Sequence, residues 1–199
     1  MLSLAEIGPA VYGAWRLVLF DPDGMRYFDR SLHGFWRSFR LAIWLAPPSF
    51  LADAIALSDM KVTGGWSNIG AAGWLGLGAA EIIGYVIAWT AFPLAAYYLT
   101  RLIGRGDHYL GYIVADNWAG VIETPFYLLA IIIAYAGIFP IGWAQLFPVV
   151  ARLMVLVYEW YIARTALNIS GLGAIGMVLV GLFISLMINM ATDSMMQLG

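Results

Sequence analysis

Five apolar stretches, each about long enough to cross a bilayer, occupy this chain between Leu41 and Met190. A membrane-spanning helix needs about 20 mostly apolar residues, with a range of about 17 to 25. Backbone polar groups within a bilayer must be satisfied inside the span, so each stretch is expected to be an α-helix. The sequence therefore predicts an all-α, polytopic membrane protein built as a bundle of five transmembrane helices.

The composition supports this class and excludes others. Hydrophobic residues make up 62% of the chain and charged residues 11%, and the mean hydropathy is +0.82. Soluble domains carry roughly 25% charged residues, so this chain has too little charge to cover a water-facing surface. The net charge of −2 argues against a nucleic-acid partner. The absence of cysteine excludes disulfides, thiolate metal sites and cysteine nucleophiles.

The predicted spans contain several prolines and have uncertain limits at two places. Thr124 and Pro125 suit an N-cap followed by a first-turn proline, so the third span is expected to start there. Pro148 lies inside the fourth predicted span, where a proline is expected to kink the helix and free a carbonyl. The segment Val62–Ala80 is an outer loop, an interfacial helix or a longer start to the second span. The spans are predicted at about Leu41–Leu57, Leu77–Leu99, Thr124–Phe139, Ile141–Tyr161 and Gly171–Met190.

Residues 1–40 are predicted to form an N-terminal unit ahead of a membrane domain at 41–199. The segment Leu4–Phe20 is apolar but broken by charge and proline, which favours an interfacial helix over a re-entrant segment. From Met25 to Phe39, apolar residues recur at helical spacing, which predicts an interfacial amphipathic helix. Its other face is expected to bind anionic lipid headgroups, to pack against the protein's own end, or to do both; it carries Arg26, Arg30, Arg37 and Arg40.

The arginines predict an orientation. Arg16 and the four arginines from Arg26 to Arg40 precede the first span, Arg101 and Arg105 follow the second, and Arg164 follows the fourth. The other side receives only Lys61. Loops rich in Lys and Arg stay in the cytoplasm. The expected arrangement is therefore a cytoplasmic N-terminus and an external C-terminus, in a bacterial cytoplasmic (inner) membrane.

Ionisable groups inside spans are costly and therefore informative. Arg152 lies near the middle of the fourth span, and Asp53 is expected to be its partner. Glu159 shares a helical face with Arg152, but about 10 Å of axial rise disfavours a direct bond. Such a pair either fixes helix packing or serves transport or proton relay. The intramembrane polar residues are Asp53, Glu81, Arg152, Glu159 and Asn189.

A second polar group lies where the chain re-enters the membrane after the second span. We expect a solvated cytoplasmic edge that caps the third span; a metal or substrate site is the alternative. No histidine or carboxylate spacing matches a metal motif, so no cofactor is expected. The residues of this cytoplasmic turn are Arg101, Arg105, Asp116, Asn117 and Glu123. Separately, the small-residue ridge Ala80-Gly84-Ala88 predicts close helix packing within the chain, or contact in a homo-oligomer.

Three short motifs resemble a known family. They are Arg101-Leu-Ile-Gly-Arg-Gly-Asp-His-Tyr-Leu-Gly-Tyr112, then Ala115-Asp-Asn-Trp-Ala119 ahead of Pro125, and Leu19-Phe-Asp-Pro22 before an aromatic-rich segment. This pattern is similar to the Yip family, whose eukaryotic members are membrane proteins that interact with Rab GTPases. The resemblance implies five spans, a cytoplasmic N-terminus and a Gly-rich cytoplasmic turn after the second span.

Two functions follow as hypotheses. The first is a non-enzymatic membrane protein that organises membrane or binds lipids and a membrane or cytoplasmic protein partner, as the resemblance implies. The second is a small transporter or channel using Asp53, Glu81 and Arg152. A transporter should contain a water-accessible cavity at the charged depth, whereas an organiser should be packed there.

Overall fold

The computed structural model describes residues 4–62 and 71–197 of the chain. These residues form α-helices and two short 3-10 helices, Pro22–Tyr27 and Gly106–His108, and contain no strand. The all-α prediction is confirmed. The α-helices are α1 (Leu4–Val18), α2 (Leu32–Ser38), α3 (Leu41–Val62), α4 (Ala71–Leu102), α5 (Tyr109–Tyr135), α6 (Ile141–Ala144), α7 (Leu146–Leu167) and α8 (Gly171–Gln197).

Five helical stretches in the described part of the chain are long and apolar enough to cross a membrane. The prediction of five spans is therefore confirmed, and the chain is a multi-pass integral membrane protein by the length and composition of its helices. The stretches are Leu32–Ala56, Gly78–Leu102, Gly106–Tyr135, Gly142–Leu167 and Gly171–Thr192.

The helices form two groups around α5. Helix α5 packs between α3 and α7, while α4 pairs with α8, and α8 also contacts α7. Helices α1 and α2 lie across the N-terminal part of α5 and share one hydrophobic core with α5 and α7. By contrast, α4 touches α5 and α3 only sparsely, although α4 and α5 are consecutive in the chain. A gap is therefore left between the α4–α8 pair and the α3–α5–α7 layer.

Helix α5 begins fifteen residues earlier than the sequence predicts. The expected start at Thr124 is wrong, because one continuous helix runs from Tyr109 to Tyr135 with Pro125 inside it. Its first turns are stabilised by burial: Ile113 and Ala115 are fully buried. Pro125 removes one backbone donor and frees the carbonyl four residues before it, but tertiary packing carries the helix through.

The starts of α4 and α7 concern the segment before the second span and Pro148, respectively. Helix α4 begins at Ala71, so residues 71–80 are a longer start to the second span; residues 63–70 lie outside the described residues. The helical span predicted from Ile141 to Tyr161 is interrupted at Gln145, between α6 and α7, just ahead of Pro148. Helix α7 begins at Leu146, which places Pro148 in its first turn, where a backbone N–H has no helical partner in any case.

Helix α1 confirms the helix predicted for Leu4–Phe20. Its inner face buries Ala10, Ala14 and Leu17. The hydroxyl of Tyr158 on α7 donates to the carbonyl oxygen of Ala14 over 2.8 Å. These contacts fasten the N-terminal layer to the transmembrane helices.

The single helix predicted from Met25 to Phe39 is wrong. A 3-10 helix ends at Tyr27, the chain is extended at Phe28, and α2 starts afresh at Leu32. The break has a local cause: Asp29 Oδ1 accepts the Ser31 N–H, and Ser31 Oγ accepts the Gly34 N–H as an N-cap. The apolar side chains expected on one helix face pack into the protein's core instead: Met25, Phe28 and Phe35 are buried.

The small-residue ridge on α4 packs against α8, as the intramolecular alternative predicts. A Cβ on Gly84 would lie 2.8 Å from Thr192 Oγ1, closer than van der Waals contact allows. Across the interface, a Cβ added to Gly181 of α8 would lie 3.4 Å from a ring carbon of Phe92 on α4. The two helices approach this closely because each offers a glycine to the other.

Candidate functional site

A polar cavity of about 380 Å³ lies in the gap between the α4–α8 pair and the α3–α5–α7 layer. Its lining includes Asp116 and Glu123 of α5, and Arg152 and Glu159 of α7. A second cavity of about 540 Å³ adjoins it. The two cavities share part of their lining, since both are lined by Ser49, Glu123, Thr124, Arg152 and Ser185.

The charged residues lie at two depths. Asn117 Nδ2 donates to Ser38 Oγ over 2.8 Å, just before α3 begins, and Trp160 Nε1 donates to the Gly171 carbonyl over 2.9 Å, where α8 begins. Their neighbours Asp116 and Glu159 therefore lie at the end of the cavity near these helix starts. Glu123 and Arg152 are each seven residues further along their helices, about 10 Å deeper.

Arg152 pairs with Glu159, and the expected partnership with Asp53 is wrong. Arg152 Nη1 lies 3.5 Å from Glu159 Oε1. The axial rise of about 10 Å between the two residues does not prevent this contact, because both side chains are long. A glutamate also leans toward the N-terminus of its own helix, which here is toward Arg152. The pair is only partly buried: 40% of the Arg152 side chain and 25% of the Glu159 side chain remain accessible, within reach of the cavity.

The other predicted intramembrane residues are divided between the cavity and its surroundings. Asp53 of α3 and Asn189 of α8 line the second cavity together with Arg152. Asp53 forms no hydrogen bond or ion pair within the described residues. Glu81 is on α4 and does not line either cavity.

Asp116, Asn117 and Glu123 do not form the solvated edge that the sequence predicts. They lie inside α5, within a stretch long and apolar enough to cross the membrane, and all three line the first cavity. Asn117 is also buried, as its hydrogen bond to Ser38 requires. The prediction was wrong because Thr124-Pro125 resembles a helix start, which placed these three residues before the third span rather than inside it.

Glu123 has the most unusual environment of these carboxyl groups. Its Oε1 atom is buried and accepts no hydrogen bond from the described residues. A buried oxygen without a donor costs about 1–3 kcal/mol, and more if it is charged. Because Glu123 lines both cavities, a rotation of its side chain would bring this oxygen to a donor on a bound solute.

Sequence reasoning missed the aromatic wall of the first cavity. Tyr85, Trp89 and Phe92 recur along one side of α4 and line the cavity with Tyr112 of α5. The rings form two pairs: the Tyr85 and Trp89 centroids are 6.1 Å apart, and so are those of Phe92 and Tyr112. The spacing on α4 was visible, but an aromatic stripe in a span faces lipid as readily as a cavity.

The four arginines expected at lipid headgroups have different neighbours. Arg30 donates twice to the Met25 carbonyl, and Arg37 forms an ion pair with Glu6. Arg26 pairs with Asp23 at 3.2 Å but keeps 77% of its side chain exposed, and Arg40 is also exposed. Headgroup binding stays a prediction, and Arg26 and Arg40 are the two best placed for it.

The turn between α4 and α5 is exposed and does not join the cavity. Arg101 Nη1 donates to the Tyr97 hydroxyl over 2.7 Å, and Arg101 Cζ lies 4.9 Å from the centroid of the same ring. Arg105 precedes the 3-10 helix that leads into α5. Within the described residues, no group of three or more His, Asp or Glu side chains converges to hold a metal ion.

Outside the spans, two aspartates have perturbed pKa values. The Arg16 guanidinium, whose Nε donates to Asp21 Oδ2 over 2.6 Å, lowers the pKa of Asp21. Hydrogen bonds from Ser31 lower the pKa of Asp29. Both groups shape the N-terminal layer, because Asp21 caps the 3-10 helix and Asp29 precedes the α2 cap.

The fold and cavity define a class: a multi-pass helical membrane protein whose bundle contains a charged, aromatic-walled cavity. No protein family, curated protein or solved structure matches this chain. The resemblance to the Yip family therefore stays a prediction.

Proposed function

We propose that the protein is a small, non-enzymatic transport protein that admits a positively charged solute into the cavity and moves it across the membrane. The observation that carries this proposal is the lining of the first cavity, which contains three carboxyl groups and one guanidinium. A single ion pair would account for Arg152 and Glu159. Asp116 and Glu123 remain, and intramembrane carboxyl groups are too costly to be common without a role.

The shape of the gap supports movement as well as binding. The first cavity reaches from Asp116 to Glu123, and the second continues to Asp53 and Asn189. Polar groups therefore follow one another along the length of the bundle. Chains of carboxyl groups in this arrangement are typical of ion and proton pathways through membrane proteins.

Flux across a reconstituted membrane tests the proposal. Purified protein in liposomes on a solid support would be exposed to gradients of protons, sodium, potassium, ammonium and tetraalkylammonium while the current is recorded. At least one cation should give a protein-dependent current that E123Q abolishes. D107N makes the equivalent change at an exposed site outside the cavity and should leave the current intact. No current with any cation, or an equal current with E123Q, would contradict the proposal.

We also propose that the membrane is a bacterial cytoplasmic membrane with the N-terminus inside. The support is the arginine distribution, since basic residues before the first span, in the α4–α5 turn and near the end of α7 would share one side. Reporter fusions at Arg105 and Arg164 should report a cytoplasmic location, and fusions at Lys61 and Gly199 an external one. A cytoplasmic C-terminus would contradict this orientation.

A second function, binding of a protein partner or organisation of membrane as in the Yip resemblance, is supported by the outer face of α1. Tyr12 and Trp15 of α1, with Leu19 just after its end, form an exposed apolar stripe opposite the buried face. A photo-crosslinking amino acid at Trp15 should capture a protein in membranes if this function holds. Capture of lipid alone would make α1 an interfacial helix only.

A further inference from the structure

We infer that the solute is an organic ammonium ion, held between the aromatic wall of α4 and α5 and the carboxyl groups of α5 and α7. This inference rests on the proposed transport function and specifies its substrate class. It draws on three independent features of the cavity: its aromatic rings, the spacing of its carboxyl groups and its volume.

The aromatic rings distinguish organic cations from inorganic ones. A ring face attracts a cation within about 6 Å of its centroid, and the effect is strongest for tryptophan and for weakly hydrated cations. Trp89 and Tyr85 supply neighbouring rings at 6.1 Å, and Phe92 and Tyr112 supply a second pair at the same distance. Quaternary and alkyl ammonium groups are the ligands for which such aromatic surroundings are best suited.

The spacing of the carboxyl groups argues against a bare metal ion. The carboxyl groups of the first cavity belong to Asp116 and Glu123 on α5 and to Glu159 on α7, and that of Glu159 is already paired with Arg152. Ca²⁺ and Mg²⁺ need several oxygen ligands at about 2.0–2.6 Å from one point. In the part of the chain that the structure describes, carboxyl groups do not converge in this way. Dispersed carboxyl groups instead suit a cation whose charge sits on a larger body.

Glu123 is the carboxyl group best placed to meet the ammonium. Its buried Oε1 accepts no hydrogen bond within the described residues, whereas Glu159 already has Arg152 as a partner. The cavity volume of about 380 Å³ falls within the range of about 300–1,000 Å³ seen for small-molecule sites. It accommodates a small ammonium compound such as choline, which we use as the probe.

The test measures binding of choline to the full-length protein in nanodiscs by calorimetry, beside its uncharged isostere 3,3-dimethyl-1-butanol. Choline should bind and the isostere should not. E123Q should weaken choline binding by about 10- to 100-fold, because the amide no longer attracts the positive charge of the trimethylammonium group, which has no N–H to donate. W89L should weaken it by about 2- to 30-fold, since leucine keeps the bulk but not the ring face.

Matched variants separate binding from folding. W89F keeps an aromatic ring and should bind choline more tightly than W89L, though less tightly than wild type. W44F changes an exposed tryptophan of α3 that does not line the cavity and should bind choline as wild type. Equal binding of choline and its isostere, or choline binding that neither E123Q nor W89L weakens, would overturn the inference. So would the absence of choline binding. If protons or alkali ions then still drive an E123Q-sensitive current, the transport function stands and only the substrate class is wrong.

Discussion

Arg152 places one positive charge beside the carboxyl groups that line the first cavity. Its guanidinium lies 3.5 Å from Glu159 and lines both cavities, so it offsets one carboxyl group while staying close to Glu123. Removing one member of a buried pair costs about 3–5 kcal/mol, because the other charge is left unpaired. The cost here should be smaller, roughly 1–3 kcal/mol, because 40% of the Arg152 side chain remains accessible.

A double-mutant cycle should identify the partner of Arg152. R152L and E159L should each destabilise the protein, and the double variant should recover much of the loss because no charge is left unpaired. D53L combined with R152L should give additive losses, since Asp53 is not the partner. Thermal unfolding in detergent measures all five variants. A coupling between Asp53 and Arg152 larger than that between Glu159 and Arg152 would contradict the pairing.

Asp21 predicts a pH dependence in the N-terminal layer. Because Arg16 lowers its pKa in the folded protein, Asp21 stabilises the fold above its ordinary pKa of about 3.9. That stabilisation is lost as the pH falls through the lowered pKa. The difference in unfolding temperature between wild type and D21N should therefore be constant above about pH 5 and shrink toward pH 2. A difference that grows on acidification would show that the sign is wrong.

At the scale of elements, the tightest approach between α4 and α8 described above is at Gly84. A Cβ on Gly84 would lie 2.8 Å from Thr192 Oγ1, and Thr192 is buried. G84A should therefore force the helices apart and cost about 1–3 kcal/mol. Adding T192A should recover part of this loss, because it removes the crowded oxygen.

Gly76 provides the matched control on the same helix. A Cβ there would meet no atom within 4 Å, so G76A should leave stability unchanged or slightly raised through better helix propensity. Thermal unfolding of G84A, G84A/T192A and G76A tests the packing. Equal effects of G84A and G76A would show that α4 and α8 are not in contact at Gly84.

The elements also show what could be predicted from the sequence. Each of the five spans could be predicted because a long apolar stretch has one stable solution in a bilayer. The start of α5 could not, since Thr124-Pro125 is a good helix start by local chemistry and only tertiary packing overrides it. The break before α2 at Ser31 could not be predicted either. Apolar residues that are buried in a core from two separate segments can have the same sequence spacing as the apolar face of a single helix.

At the scale of the whole molecule, the site was only half predictable. The costly residues, including Asp53, Arg152 and Glu159, were identifiable because charge in a span is rare. Their pairing was not, since it depends on side-chain direction and on which helices are neighbours. The role of Tyr85, Trp89 and Phe92 as a cavity wall could not be predicted for a different reason. Aromatic rings in a span are stable whether they face lipid or a cavity.

The central claim is that the membrane-spanning bundle encloses a cavity that water and cations reach. The chain contains no cysteine, so single cysteines can be introduced without background. Ser185 lines both cavities, while Phe183 on the same helix is 61% exposed and lines neither. S185C and F183C are therefore a matched pair for labelling in intact membranes.

The measurement is the rate at which cationic and anionic methanethiosulfonate reagents modify each cysteine. S185C should react, and relative to each reagent's rate with a free thiol in solution the cationic reagent should react faster than the anionic one, because carboxyl groups line the cavity. F183C should react with neither, since it faces lipid. If S185C is as inert as F183C, the interior is closed to water and solutes, and the account of a cation-accepting cavity is contradicted.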